Sequence, residues 1–98
     1  MASRRIIWTA TAKSQLIEIL DFFNFRNKSK SYSRKLNKKI QSELNLLILQ
    51  PNIGKKTNKI NVRGLLIEDY FLFYEVKEKH IVILSFWNTK QNPDRLKL

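Results

Sequence analysis

The residues best suited to chemistry in this chain are cations at short spacing. Lys55, Lys56, Lys59 and Arg63 follow one another within residues 51–65, and no acidic residue interrupts them. Ammonium and guanidinium groups at this spacing neutralise phosphates or meet a carboxylate-rich peptide. The alternative is a solvated basic loop. Arg63 is set apart because a strand position beside apolar residues more often holds a specific contact.

A second candidate group follows an apolar run at residues 81–84. It contains a large aromatic ring and three side chains that donate or accept hydrogen bonds, namely Trp87, Asn88, Lys90 and Gln91. On a concave surface beside Arg63, the ring would stack on a ligand and the amides would orient it. The alternative is that Asn92-Pro93 is a turn signal that ends the strand, while Trp87 covers the edge of the core.

Residue types needed for several kinds of site are scarce or absent. The chain has no cysteine, which excludes disulfides, cysteine-based zinc sites and thiol nucleophiles. Its single histidine, His80, is expected to be a surface strand residue, and the adjacent Glu68 and Asp69 fit a turn pair. The two glycines are ten residues apart, so there is no phosphate loop. We expect no metal and no cofactor, and whether the protein is an enzyme stays open.

The charge balance indicates an anionic partner. The 98 residues form one predicted domain, 1–98, with a formal net charge of +11. Such a field favours polyanions or an acidic protein, although a solvated basic surface is the alternative. The apolar stretch at residues 6–12 is too short for a signal peptide or a membrane span, so we expect a cytoplasmic protein without membrane contact.

Hydrophobic spacing predicts a strand followed by two helices. Residues 5–8 read as a strand, and Thr9 is a good N-cap for a helix that runs to about Arg26. After a break at residues 24–31, where Ser29 or Ser31 is available as a cap, a second helix runs until Pro51 stops it. The second apolar stripe consists of Tyr32, Leu36, Ile40, Leu44 and Leu47.

Three further strands are predicted in the C-terminal half, at residues 60–65, 70–76 and 80–87, joined by short turns. The order β-α-α-β-β-β predicts an α+β fold, with an N-terminal helical hairpin packed on a mainly antiparallel sheet. If the outer two strands flank residues 70–76, Arg63 and Lys90 are expected on one side of the sheet. There they would frame a pocket with Trp87, and their exposed charges would contribute little to folding.

Four segments in this order resemble the RelE/ParE superfamily of type II toxin-antitoxin toxins. They are IIWTATAKSQLIEILDFF, LLILQPNIGKK, NVRGLLIEDYFLFYEV and IVILSFWNTKQNP, and together they extend over nearly the whole chain. The resemblance implies a helical hairpin on an antiparallel sheet. It also implies a small basic toxin that is neutralised by an antitoxin, which we expect to be acidic, and that acts on DNA gyrase or cleaves ribosome-bound messenger RNA.

The departures from the family pattern favour the ParE-like branch, whose target is gyrase. Cleaving members are expected to have the pattern Tyr-Arg-x-x-Tyr, and here Phe71 stands in place of the arginine. The pattern Arg-x-Asn-Pro appears with Lys90 in its first position, and no histidine or tyrosine follows it. The long hairpin at residues 9–49 also resembles that branch more closely.

Two alternatives stay open. The first is a ribosome-dependent messenger-RNA endonuclease with an atypical site, in which Lys55, Lys56 and Lys59 supply charge and one lysine of lowered pKa acts as the base. The second is a basic nucleic-acid-binding domain without toxicity.

Overall fold

The computed structural model describes residues 4–89. Its elements are β1 (Arg5–Trp8), α1 (Ala10–Asn27), α2 (Ser31–Leu49), β2 (Lys55–Lys56), β3 (Val62–Ile67), β4 (Tyr70–Val76) and β5 (His80–Asn88). The predicted α+β fold with an N-terminal helical hairpin is therefore confirmed. Lys90, Gln91 and Asn92-Pro93, which the sequence also singled out, lie outside the described residues.

The first helix begins where the sequence predicts. The Thr9 side chain accepts a hydrogen bond from the backbone N–H of Ala12 at 3.1 Å, which satisfies one of the free donors in the first helical turn. Its hydroxyl also donates to the carbonyl of Leu84 on β5 at 3.2 Å. Thr9 therefore ties the start of α1 to the sheet as well as capping it.

The start of the second helix differs from the prediction. The cap position is Lys30, which makes no side-chain capping bond, and neither Ser29 nor Ser31 occupies it. Ser29, one residue before the cap position, instead accepts a hydrogen bond from the backbone N–H of Ser31 at 3.1 Å. Four residues of the predicted stripe are buried, whereas Tyr32 is 37% exposed and packs its ring on Phe23 at a centroid distance of 4.4 Å.

The five strands form one mixed sheet in the order β1-β5-β4-β3-β2. The predicted meander of β3, β4 and β5 is antiparallel, and β1 adds to its edge parallel to β5. The first meander strand begins at Val62 and not at residue 60, and β5 continues to Asn88. Lys55 and Lys56, which were expected in a basic loop, form a two-residue strand paired with β3.

The two faces of β4 have different environments. Tyr70, Leu72 and Tyr74 are buried in the core that packs against the helices. Phe71 and Phe73 alternate with them and therefore belong to the opposite surface, here called the outer face. The register places Leu66 and Trp87 on either side of Phe71 on this outer face. No helix within residues 4–89 is both long and apolar enough to cross a membrane.

Candidate functional site

Three of the four basic residues singled out in the sequence, Lys56, Lys59 and Arg63, line a single cavity of about 460 Å³ at one end of the sheet. We call this cavity the basic hollow. None of its lining residues, all within the described part of the chain, is acidic, and several carry amide or hydroxyl groups. The lining consists of Asn52, Lys56, Thr57, Asn58, Lys59, Ile60, Asn61, Val62, Arg63 and Val76. Lys55 is not among them, because its register partner Gly64 places it on the outer face.

Arg63 shapes the wall of the basic hollow. Its Nη1 atom donates hydrogen bonds to the carbonyl oxygens of Asn52 at 3.2 Å and Gly54 at 2.8 Å. The guanidinium group thereby holds the chain that leads from α2 into β2. Arg63 is therefore a partly buried, hydrogen-bonded group and not the exposed charge that was expected. Because bonds from a charged donor to backbone carbonyls are among the stronger hydrogen bonds, we now expect it to contribute to folding.

Tyr74 fastens the same segment from inside the core. Its hydroxyl donates to the carbonyl of Pro51 at 2.8 Å and accepts from the backbone N–H of Gly54 at 2.9 Å. Burial raises the pKa of the Tyr74 phenol above its usual value, and the Gly54 hydrogen bond and the Arg63 charge oppose that shift. The hydroxyl is therefore kept neutral, so it can act as donor and acceptor at once.

The floor of the basic hollow is a turn at residues 57–61 that folds on itself. The Thr57 hydroxyl donates to the carbonyl of Val62 at 2.9 Å and accepts from the backbone N–H of Lys59 at 3.2 Å. Asn61 adopts a left-handed conformation with φ of 64°, which asparagine tolerates better than most residues. The turn thus positions Lys59 through its own hydrogen bonds, with Ile60 87% exposed at its tip.

Trp87 and Asn88 line a different cavity, of about 420 Å³, towards the other end of β4 and β5. We call it the aromatic groove. Its other lining residues are Gln15, Glu18, Ile19, Phe22, Phe23, Tyr70 and Phe86, so it shares no residue with the basic hollow. Helix α1 forms one wall and the ends of β4 and β5 form the other.

The prediction that Arg63 and Trp87 frame one pocket is wrong, because the two residues line separate cavities. Arg63 lies opposite Tyr74 in the register, whereas Trp87 lies opposite Phe71. Because Phe71 and Tyr74 are three positions apart on β4, their partners belong to opposite faces of the sheet. The third member of that pocket, Lys90, lies outside the described residues, as does Gln91.

A residue that the sequence did not single out, Gln15, joins α1 to β5. Its Oε1 atom accepts hydrogen bonds from the backbone N–H of Phe86 at 2.9 Å and the hydroxyl of Ser85 at 3.1 Å. The register between β4 and β5 shifts next to this point. A polar residue three positions after the buried Ala12 lies on the packed side of the helix, which was the available signal.

Phe71, the residue that replaces the expected arginine, lies on an apolar part of the outer face. Its ring centroid is 5.8 Å from that of Phe73. A side chain added at Gly64 would meet the Phe73 ring at 3.1 Å and the Phe71 ring at 3.9 Å, so both rings lean over this glycine. Leu66, the register partner of Phe71, is 57% exposed. This position therefore offers an apolar surface and not a phosphate contact.

No group of three or more metal-binding side chains occurs within residues 4–89. His80 lies at the start of β5, and Glu68 and Asp69 form the turn between β3 and β4, as predicted. The described part of the chain thus brings together cations and amides at one place and aromatic rings at another.

Comparison with known proteins identifies the family. The family model for the ParE toxin of the type II toxin-antitoxin system parDE matches residues 6–93. Among solved structures, a chain of the chromosomal ParDE TA system from P. aeruginosa has the same fold, with a TM-score of 0.74 and 23% identity. That match extends over 88% of this chain and 96% of the other. No curated protein matches the chain. The chain belongs to the ParE toxin family and is a ParE-like toxin of a type II toxin-antitoxin system.

Proposed function

We propose that this toxin arrests growth by acting on DNA gyrase without cleaving messenger RNA, in the cytoplasm. The observation that carries the proposal is the surroundings of Phe71. A ribonuclease that stabilises a phosphorane-like transition state needs fixed positive charge at the reacting phosphate. Here the position of the expected arginine holds an aromatic ring beside Phe73 and Gly64, and no cation takes over its place among the register neighbours Leu66 and Trp87.

We also propose that a co-produced acidic antitoxin neutralises the toxin. The similar P. aeruginosa structure is that of a ParDE system, and the net charge of +11 favours an acidic partner. The outer face supplies an apolar seat in Leu66, Phe71 and Phe73, and Lys55 lies on the same face at the β2 edge. An amphipathic acidic segment could bury apolar side chains on these rings and place its carboxylates near that lysine.

The test of the target uses the purified toxin in two assays. In the first, gyrase supercoils a relaxed plasmid in the presence of increasing toxin, and we expect inhibition. In the second, ribosomes that translate a defined message receive the same toxin, and we expect the message to stay intact. Codon-dependent cleavage in the second assay, without inhibition in the first, would replace this proposal by the messenger-RNA endonuclease.

The antitoxin proposal is tested by measuring the affinity of the complex at several salt concentrations and in two variants. Binding of the protein encoded beside the toxin should weaken as the salt concentration rises, because screening reduces attraction between opposite charges. Phe71→Ala should weaken the complex more than Tyr32→Ala, which removes a ring from the helical side. If both variants bound as the wild type does, the outer face would not be the antitoxin seat.

A further inference from the structure

The strands segregate charge towards one end of the sheet. Strands β1, β3 and β5 begin at this end, and strands β2 and β4 finish at it. The pairings of Arg5 with His80 and of Lys56 with Arg63 fix these strand directions. We call this the basic end. Besides Arg63, it carries six cations and two acids, namely Arg4, Arg5, Lys56, Lys59, Lys77 and Lys79 with Glu75 and Glu78.

The opposite end of the central strands has a different character. Glu68 and Asp69 form the β3–β4 turn there. Glu68 is paired with Lys39 at 3.5 Å, which offsets a cation of α2. At the basic end, the Arg4 Nε atom donates a hydrogen bond to the backbone carbonyl of Lys77 at 2.8 Å. This bond holds the Arg4 guanidinium beside the turn between β4 and β5. Charge therefore differs between the two ends and is not spread evenly over the surface.

We propose that the basic end binds the phosphodiester backbone of duplex DNA directly, with a phosphate seated in the basic hollow. The inference goes beyond gyrase inhibition, since it requires no other protein. Lys56 and Lys59 would neutralise charge, while the amide and hydroxyl groups of the lining would donate hydrogen bonds to phosphate oxygens. Arg63, already bonded to Asn52 and Gly54, fixes the wall and adds its charge.

The dimensions and the chemistry favour DNA over an acidic peptide. The ends of five strands extend roughly 19 Å across at about 4.8 Å per strand, enough for several successive phosphates of a duplex. An acidic amphipathic peptide also needs a place for its apolar side chains. The basic hollow offers mainly cations and amides, and its Ile60 projects into solvent. The apolar surfaces lie on the outer face and in the aromatic groove.

The experiment measures fluorescence anisotropy of a labelled 20-base-pair DNA duplex with the purified full-length toxin. If about three phosphates are neutralised, affinity should fall about 40-fold between 50 and 200 mM salt. The double substitution Lys56→Gln/Lys59→Gln should weaken binding about tenfold and make the salt dependence shallower by about two phosphates. The matched control Lys35→Gln/Lys38→Gln removes the same charge from the exposed surface of α2 and should change affinity less than threefold.

Three outcomes would overturn the proposal. Equal losses in the two double variants would show diffuse attraction and no seat in the basic hollow. Tighter binding of a single-stranded RNA of equal length would exclude a duplex DNA surface. A poly-glutamate peptide that binds the wild type more tightly than the duplex does, and that loses affinity in Lys56→Gln/Lys59→Gln, would assign the hollow to an acidic protein.

The result is separable from the gyrase proposal. Lys56→Gln/Lys59→Gln is also tested in the supercoiling assay, and its thermal unfolding is compared with that of the wild type. DNA binding that depends on the basic hollow, in a toxin that leaves gyrase active, would support this inference and reject the proposed function. Inhibition by a toxin that does not bind DNA would do the reverse.

Discussion

The basic hollow and the aromatic groove are similar in volume but are built differently. One side of the hollow is the segment after α2 that contains Asn52, and Tyr74 and Arg63 hold the backbone of this segment through four hydrogen bonds. This side is therefore fixed before any ligand arrives. The groove is walled by side chains of α1, among them Phe22, which is 55% exposed. Fixed donors suit a small anion of constant geometry, whereas an exposed ring such as that of Phe22 can adjust to side chains of varied shape.

Among substitutions that test this difference between the two cavities, Gly54→Ala is expected to reduce the free energy of unfolding the most. A Cβ atom at this position would lie 2.7 Å from the Tyr74 hydroxyl oxygen and 2.9 Å from the carbonyl oxygen of Gly64, and the latter is backbone that cannot turn away. Overpacking together with a broken hydrogen bond should cost about 3 kcal/mol of unfolding free energy. Urea unfolding followed by circular dichroism measures it.

Gly64→Ala is the matched control for that substitution. Its Cβ atom would meet only rings of the outer face, with the Phe73 ring at 3.1 Å. Because the Phe73 ring is only partly buried, it can shift by a few tenths of an ångström, so the cost should stay below about 1 kcal/mol. Neither glycine has a positive φ, so the backbone conformation does not explain a difference. Equal costs at the two positions would contradict the rigidity assigned to the hollow.

Tyr74→Phe should have the next largest effect. It removes one oxygen and leaves the Gly54 N–H and the Pro51 carbonyl without their partner, which should cost about 2 kcal/mol. Tyr32→Phe is the control, because Tyr32 is 37% exposed and its ring packing on Phe23 is kept. We expect it to stay within about 0.5 kcal/mol of the wild type. If the urea midpoint of Tyr74→Phe equalled that of the wild type, water would have to replace the hydroxyl as the partner of Gly54 and Pro51.

Most of the fold could be predicted from sequence because its signals are local. Thr9 caps a helix through its own side chain, and Pro51 stops one through its ring. The pairing of β1 with β5 could not be foreseen, since it depends on how the helical hairpin returns the chain to the sheet. The short β2 strand was missed for a similar reason, because two lysines become a strand only through their partners on β3.

The candidate site was predicted less well, because it depends on faces as well as on residue types. Grouping Arg63 with Trp87 required both to point to one side, and a difference of three positions along β4 separates them. Arg63 was recognised as a residue with a specific contact, yet its partners are backbone carbonyls that composition cannot reveal. Lys56 and Lys59 could be grouped correctly, since they are close in sequence and flank one turn.

Gln15→Ala tests the hydrogen bonds that join the α1 wall of the aromatic groove to β5. The substitution removes the acceptor for the Phe86 N–H and the Ser85 hydroxyl. Because water can enter the groove and bond to these groups, the cost should be about 1 kcal/mol, smaller than for Tyr74→Phe. Gln41→Ala, on the exposed side of α2, is the control. Hydrogen exchange of the Phe86 amide should quicken in Gln15→Ala alone, and an unchanged rate would argue against the tie.

The smallest expected effect is a loss of stability at alkaline pH, and it arises from the two buried tyrosines. Burial raises the pKa of both Tyr70 and Tyr74 above 10.0, the value of a free phenol. Well below pH 10 both states keep the phenolic proton, so these groups add no pH dependence. As the pH rises past 10, the unfolded chain loses its protons first and is favoured, so the stability of the native state falls.

Single substitutions measure the contribution of each buried tyrosine separately. Tyr74→Phe and Tyr70→Phe should each reduce the decline in the urea midpoint between about pH 9 and about pH 11. Of the two, Tyr70→Phe should have the larger effect. The Gly54 hydrogen bond and Arg63 oppose the shift at Tyr74, while Asp69 and Tyr32 add to it at Tyr70. A larger effect of Tyr74→Phe would mean that burial disfavours the Tyr74 phenolate more strongly than the Gly54 hydrogen bond and Arg63 favour it.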